Sequence, residues 1–102
     1  NTNDFQKLRT LGKRFSFGPL RFSFARTQNG YSRLGLILAR KQIPKANQRN
    51  YYKRVIRESF RLYQEKLINL DIAVLVTRDA LKMNKQAFRK CIEEAWKRLS
   101  TI

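Results

Sequence analysis

Residues 47–61, Asn47-Gln48-Arg49-Asn50-Tyr51-Tyr52-Lys53-Arg54-Val55-Ile56-Arg57-Glu58-Ser59-Phe60-Arg61, separate into two faces when wound as an α-helix. At about 100° per residue, Arg49, Asn50, Lys53, Arg54, Arg57 and Arg61 share an arc of about 140°. Tyr52, Val55, Ile56, Ser59, Phe60 and Tyr63 gather on the opposite side. One face is suited to packing on a sheet and the other to meeting phosphates. Only Glu58 interrupts the cationic row, so the alternation of signs that makes a solvated helix self-compensating is missing.

The rest of the chain shares the imbalance. It carries 23 Lys plus Arg against 7 Asp plus Glu, a formal charge of +16 on 102 residues, and such self-repulsion calls for a polyanion. Nucleic acid is the first candidate. An anionic membrane surface would call for an interfacial helix with a free apolar face, whereas the apolar faces here are committed to a core, so no membrane partner is expected. At 42% hydrophobic residues the chain is too apolar for a disordered basic tail, and its length suits one domain, residues 1–102, with a single modest core. The lone Cys91 cannot form an internal disulfide and there is no histidine for a structural zinc site, which favours a cytoplasmic home. The longest apolar runs, Leu34 to Ala39 and Ile72 to Val76, are strand-length, too short for a membrane span or a signal-peptide core. The chain starts at Asn1 instead of an initiating methionine, so the natural N-terminus is expected to lie upstream.

Working outward, Asn3 and Gln6 form a capping-box pattern before Phe5, Leu8 and Leu11, and Gly12 supplies a stop, which predicts a short first helix. From Lys13 the period becomes two. Phe15 and Phe17, then Leu20, Phe22 and Phe24 after the Gly18-Pro19 turn, alternate with polar residues and predict two strands. Asn29-Gly30 is a hairpin signal ahead of a strand over Arg33 to Arg40. The basic helix follows the loop Arg40-Lys41-Gln42-Ile43-Pro44-Lys45 and is expected to end near Asn69. Leu70 to Thr77 then reads as a strand covered on both faces. Asn84 caps a last helix with Phe88, Cys91, Ile92, Ala95, Trp96 and Leu99 on one side and Met83 and Phe88 as a hydrophobic staple. The order is αβββαβα.

A protein that cut RNA unaided would need an acid and base pair or carboxylates grouped to hold metals. Most of the acidic residues are explained by helix capping or i,i+4 pairing. Asp71 and Asp79 flank a strand and are the remaining metal candidates, while Cys91 lies on an apolar stripe where a structural thiol is expected. We therefore expect no catalytic residue and no metal site on the chain itself.

The segment Arg49 to Arg61 resembles the signature helix of the protein subunit of bacterial ribonuclease P. That signature reads Arg-Asn-Arg, any residue, Lys-Arg, two residues, Arg. Arg49, Asn50, Lys53, Arg54 and Arg57 match it, and Tyr51 stands where the third residue would be arginine. Asn3-Asp4-Phe5 resembles the family's early Asp-Phe or Gln-Phe pair, Arg33-Leu34-Gly35-Leu36 its Arg-hydrophobic-Gly-hydrophobic strand, and Arg40-Lys41 its basic pair.

The resemblance implies an α+β two-layer sandwich in which a four-stranded sheet contains a left-handed β-α-β crossover through the basic helix. It implies a ribonucleoprotein endoribonuclease that removes the 5′ leader of precursor tRNA. A catalytic RNA with its bound magnesium performs the hydrolysis, with one protein per RNA. Contacts to that RNA are expected from Arg40, Lys41, Lys45, Arg49, Asn50, Tyr51, Lys53, Arg54, Arg57 and Arg61. Contacts to the single-stranded leader are expected from Phe5, Phe15, Phe22 and Phe24, since rings in a basic groove hold unpaired bases by stacking. Two other readings stay open on the residues alone: a ribosomal or ribosome-associated protein docking on structured RNA without a catalytic partner, and a DNA-binding architectural protein.

Overall fold

The computed structural model describes residues 12–101. In chain order these are β1 (Lys13–Phe17), β2 (Leu20–Arg26), β3 (Arg33–Ile37), α1 (Ala46–Tyr63), a 3-10 turn (Gln64–Leu67), β4 (Leu70–Val76), a second 3-10 turn (Arg78–Lys82) and α2 (Lys85–Ser100). The βββαβα part of the expected order is present. The first helix and Phe5 lie outside the described residues.

The sheet runs β1-β2-β4-β3. β1 and β2 are antiparallel, β2 and β4 antiparallel, and β3 and β4 parallel, so α1 forms the crossover between two parallel neighbours. β4 thus enters between β2 and β3. Asn29-Gly30 consequently does not close a hairpin: the strands on either side of it are separated by β4, and the turn signal describes only the local backbone. Asn69 organises this junction from a left-handed conformation at φ 63° that asparagine tolerates. Its carbonyl accepts from Thr27 N–H at 2.8 Å, its side chain accepts from Gly30 N–H at 2.6 Å, and its own N–H donates to the Tyr31 carbonyl at 3.2 Å.

Alternation along the strands gives the sheet two faces. Leu20, Phe22 and Phe24 on β2 pair with Val76, Val74 and Ile72 on β4, and all six are buried. Against them lie Tyr52, Val55 and Ile56 of α1 and Phe88, Ile92, Ala95, Trp96 and Leu99 of α2, in one core. Rings run through it in contact. Phe15 stacks on Phe22 at 4.7 Å, Trp96 meets the Phe22 ring at 5.7 Å edge-on, and Phe60 meets Trp96 at 5.6 Å. Burying a ring of this size stabilises by about 1.5–3 kcal/mol, before about 0.5–1.5 kcal/mol for aromatic geometry. Trp96 Nε1 keeps its hydrogen bond by donating to Ser59 Oγ at 2.9 Å, which ties α2 to the apolar side of α1.

Two boundaries differ from expectation. β3 ends at Ile37, short of Arg40, because the Gln42 and Ile43 N–H groups both turn back to the Ala39 carbonyl. α1 ends at Tyr63, short of Asn69, where the chain tightens into the 3-10 turn that places Leu67 in the core at 0% exposure. β4 is the central strand, but its two faces are unequal. On the second face Ala73 is buried while Asp71 and Leu75 are half-buried. Asn84 caps α2 as expected, its Oδ1 accepting from Ala87 N–H at 2.8 Å. Gly18 is required in the β1–β2 turn. It sits at φ +56°, and a Cβ there would come within 2.9 Å of Cys91 Sγ.

Candidate nucleic-acid interface

The α1 surface divides as the sequence requires. Tyr52, Val55 and Ile56 are buried, whereas Asn50, Arg54, Arg57 and Arg61 are exposed and Lys53 is half-exposed. Among the described residues, Lys53, Arg57 and Arg61 have no carboxylate partner, and Glu58 offers the row no ion pair. Four or five cations on one helix face, uncompensated, form a surface whose own repulsion is relieved when phosphates approach it. The loop leading into α1 adds to that surface. Ile43 is fully buried and anchors the loop, so Arg40, Lys41 and Lys45 are left exposed beside the start of the helix.

Arg49 behaves differently from the rest of the row. Its Nη1 donates to the Ile43 and Pro44 carbonyls, both at 2.8 Å, so it braces the loop that presents the other cations. Tyr51 also has protein neighbours. Its ring meets Tyr52 at 5.5 Å edge-on and lies beneath two cations, Lys85 at 5.2 Å and Arg54 at 5.8 Å. The Lys85 contact joins the two helices and had no sequence signal, since it depends on how α1 and α2 pack. Tyr52 donates its hydroxyl to the Ala80 carbonyl at 3.2 Å, and burial, reinforced by Tyr51, pushes its ionisation above the ordinary tyrosine range.

The aromatic strands correct the leader assignment. Phe22 and Phe24 are 1% and 5% exposed, because their positions on β2 face the helices, so they cannot offer a ring face to a base. Phe15, on the edge strand β1, is half-buried with one face on Phe22. The second face of the sheet carries cations that were not singled out in the sequence. Arg14 and Arg21 are exposed there, alternating with Ser16 and Ser23, and the Arg21 guanidinium also donates to the Gly18 carbonyl at 3.0 Å. This row is the polar phase of the same period-two pattern whose other phase carries the phenylalanines.

The acidic residues form no metal centre: among the described residues no three His, Cys, Asp or Glu side chains are grouped to hold an ion. Asp71 is held by a two-pronged ion pair with Arg33, and Asp79 approaches only Lys82, at 3.9 Å. This donor set does not fit a protein-held magnesium ion. Cys91 is half-buried, directs Sγ toward the Phe17 carbonyl at 3.6 Å, and has its thiol ionisation raised by burial. No described helix is long and apolar enough to cross a membrane.

The family model described as Ribonuclease P matches residues 1–100. The chain belongs to the ribonuclease P protein family. The Ribonuclease P protein component of Saccharophagus degradans is 38% identical over 106 aligned positions, which take in 97% of this chain and 74% of that protein. Among solved structures, the RNase P protein from Thermotoga maritima in complex with 1-(4-fluorophenyl)-2-thiourea is 27% identical. It has a TM-score of 0.83, with 95% of this chain and 94% of that one covered. The Staphylococcus aureus RNase P protein shares the fold with a TM-score of 0.86 at 24% identity, over 95% of this chain and 89% of that one. As a ribonuclease P protein, the chain is an RNA-binding subunit of a ribonucleoprotein, the tRNA-processing endoribonuclease, and not a ribosomal protein.

Proposed function

We propose that this subunit binds the catalytic ribonuclease P RNA through the exposed face of α1 (Asn50, Lys53, Arg54, Arg57 and Arg61), with Arg40, Lys41 and Lys45 extending the contact along the loop. The observation that carries this reading is the uncompensated cationic row on a helix whose other face is buried. Arg49 contributes mainly by holding the loop. The RNA and its magnesium perform the hydrolysis, and the chain's own residues bind and position. Of the described carboxylates, Asp71 is committed to its ion pair with Arg33 and Asp79 approaches Lys82.

The substrate on this reading is precursor tRNA, engaged with one protein per RNA in the cytoplasm. Among the described rings first assigned to the leader, only Phe15 has surface to offer, and its contact is edge or one-sided stacking.

Reconstitution tests the proposal. Purified chain added to a bacterial ribonuclease P RNA at low magnesium should restore correct 5′ maturation of precursor tRNA. The same chain without RNA should give no specific cleavage. Failure of the first, or maturation by protein alone, would overturn it.

A further inference from the structure

The two cations ahead of α1, Arg40 and Lys41, occupy the central positions of a tight turn. The Ala39 carbonyl closes it, accepting from Gln42 N–H at 3.0 Å and from Ile43 N–H at 2.9 Å. Both cations are exposed, and neither has a carboxylate partner among the described residues. Adjacent like charges at the tip of a surface turn repel each other, and a free turn would not fix their direction. Here the turn is tied twice. From α1, the Arg49 guanidinium donates to the Ile43 and Pro44 carbonyls. A second tie comes from the segment after β4: Gln42 Oε1 accepts from the backbone N–H of Arg78 at 3.0 Å, and Arg78 Nη2 donates to the Lys41 carbonyl at 3.4 Å.

The segment that receives Gln42 is itself anchored. Thr77 donates its N–H and its hydroxyl to the Pro19 carbonyl, at 2.9 and 2.8 Å. Ala80 is fully buried, and its carbonyl accepts from the Tyr52 hydroxyl at 3.2 Å. The Arg78–Lys82 turn is thus fixed both to the β1–β2 turn and to the apolar side of α1, and Gln42 fastens the cationic turn to it. The amide suits this place. It is neutral, and it supplies the acceptor that the Arg78 N–H requires, which a lysine or arginine at the same position lacks.

We propose that Gln42 is a positioning residue for RNA binding: by holding the turn to Arg78 it sets Arg40 and Lys41 in the arrangement that meets the partner RNA, so less order has to be imposed when the complex forms. The inference rests on the RNA-binding reading of α1 and its loop, and it adds a residue that acts through its neighbours without touching RNA. The bond lies at the surface, so losing it should change local opening more than global stability.

The test uses the full chain and a transcribed bacterial ribonuclease P RNA. Gln42→Met keeps the length of the side chain and removes the acceptor. Amide hydrogen exchange followed by NMR should show the Arg78 N–H exchanging faster in this variant than in the parent. Filter binding should show affinity weaker by about three- to tenfold. The salt slope should stay unchanged, since no phosphate contact is lost. The deciding comparison repeats the substitution in a chain that also carries Arg40→Ala and Lys41→Ala. There it should cost less than about twofold, because the side chains it positions are gone. A loss through misfolding would persist in both backgrounds. Equal losses in the two backgrounds, an unchanged affinity in the first, or an Arg78 amide indifferent to the substitution would overturn the proposal. Should the chain with Arg40→Ala and Lys41→Ala bind like the parent at the same slope, the RNA reading of the loop falls and the positioning role with it, while Arg57→Ala continues to test α1 by itself.

Discussion

Arg33 and Asp71 face each other in register across the parallel β3–β4 pair, with the guanidinium Nε donating to Oδ1 at 2.8 Å and Nη2 to the other carboxylate oxygen. The fork holds β3, whose only strand neighbour among the described residues is β4, to the interior of the sheet. A two-pronged, partly buried pair exceeds an exposed salt bridge in strength, and removing one partner strands the other. Asp71→Ala should therefore lower unfolding stability by about 1–3 kcal/mol in urea titrations. The magnesium dependence of the reconstituted enzyme should stay as in the parent. A changed metal requirement at unchanged stability would assign Asp71 to chemistry instead.

Arg57→Ala should reduce the slope of log affinity against log salt by about 0.7–0.9, one phosphate contact, with a Tm within a degree or two of the parent. An unchanged slope would make this side chain a solvated one.

Arg49→Ala should behave unlike its neighbours in the row. Losing two charge-assisted hydrogen bonds to the Ile43 and Pro44 carbonyls should cost about 1–3 kcal/mol of stability. Differential scanning calorimetry of Arg49→Ala beside Arg57→Ala makes the comparison, and equal Tm values for the two would refute a bracing role.

Phe22→Ala should destabilise the fold by about 3–5 kcal/mol, the cost of a ring removed from a packed core. Phe15→Leu should be much milder in stability. Any preference for leader-bearing over leaderless RNA should be reduced by Phe15→Leu, and equal losses for both RNAs would remove Phe15 from leader contact.

Tyr52 supplies a pH signature. Its hydroxyl is harder to ionise in the folded chain than in the unfolded one, so the folded state favours the protonated form. The resulting stability is fully present below the ordinary tyrosine value of about 10 and is lost as pH rises above it. Stability of the parent should fall in that alkaline window, and Tyr52→Phe should show a shallower fall. Identical alkaline profiles would contradict the assignment.

Much of the α1 surface was legible in the sequence because a charged arc opposite an apolar arc has one economical folded solution, and Asn84 and Met83 marked the start of α2 just as directly. Pairing was harder to read. Asn29-Gly30 has the residues of a hairpin, but the strand that separates its flanks begins at Leu70 and leaves no mark near residue 30. Alternation showed that Phe15, Phe22 and Phe24 share a side, not that the helices cover that side. The bracing by Arg49 and the placing of Lys85 over Tyr51 arise from approaches between segments, which a helical wheel cannot represent.

The position of β4 between β2 and β3 has a consequence in time. A chain made from its N-terminus completes β1, β2, β3 and α1 before the strand that unites them exists, and among the described strands only the β1–β2 hairpin can close locally. Until Leu70–Val76 emerges, β2 and β3 each present an unpaired edge, and the loop held by Asn69 has nothing to hold it. Sheet closure is thus a late, long-range step. A nascent chain from which α1 has emerged before β4 exposes a basic helix together with open strand edges, so RNA contact can precede the completed sheet.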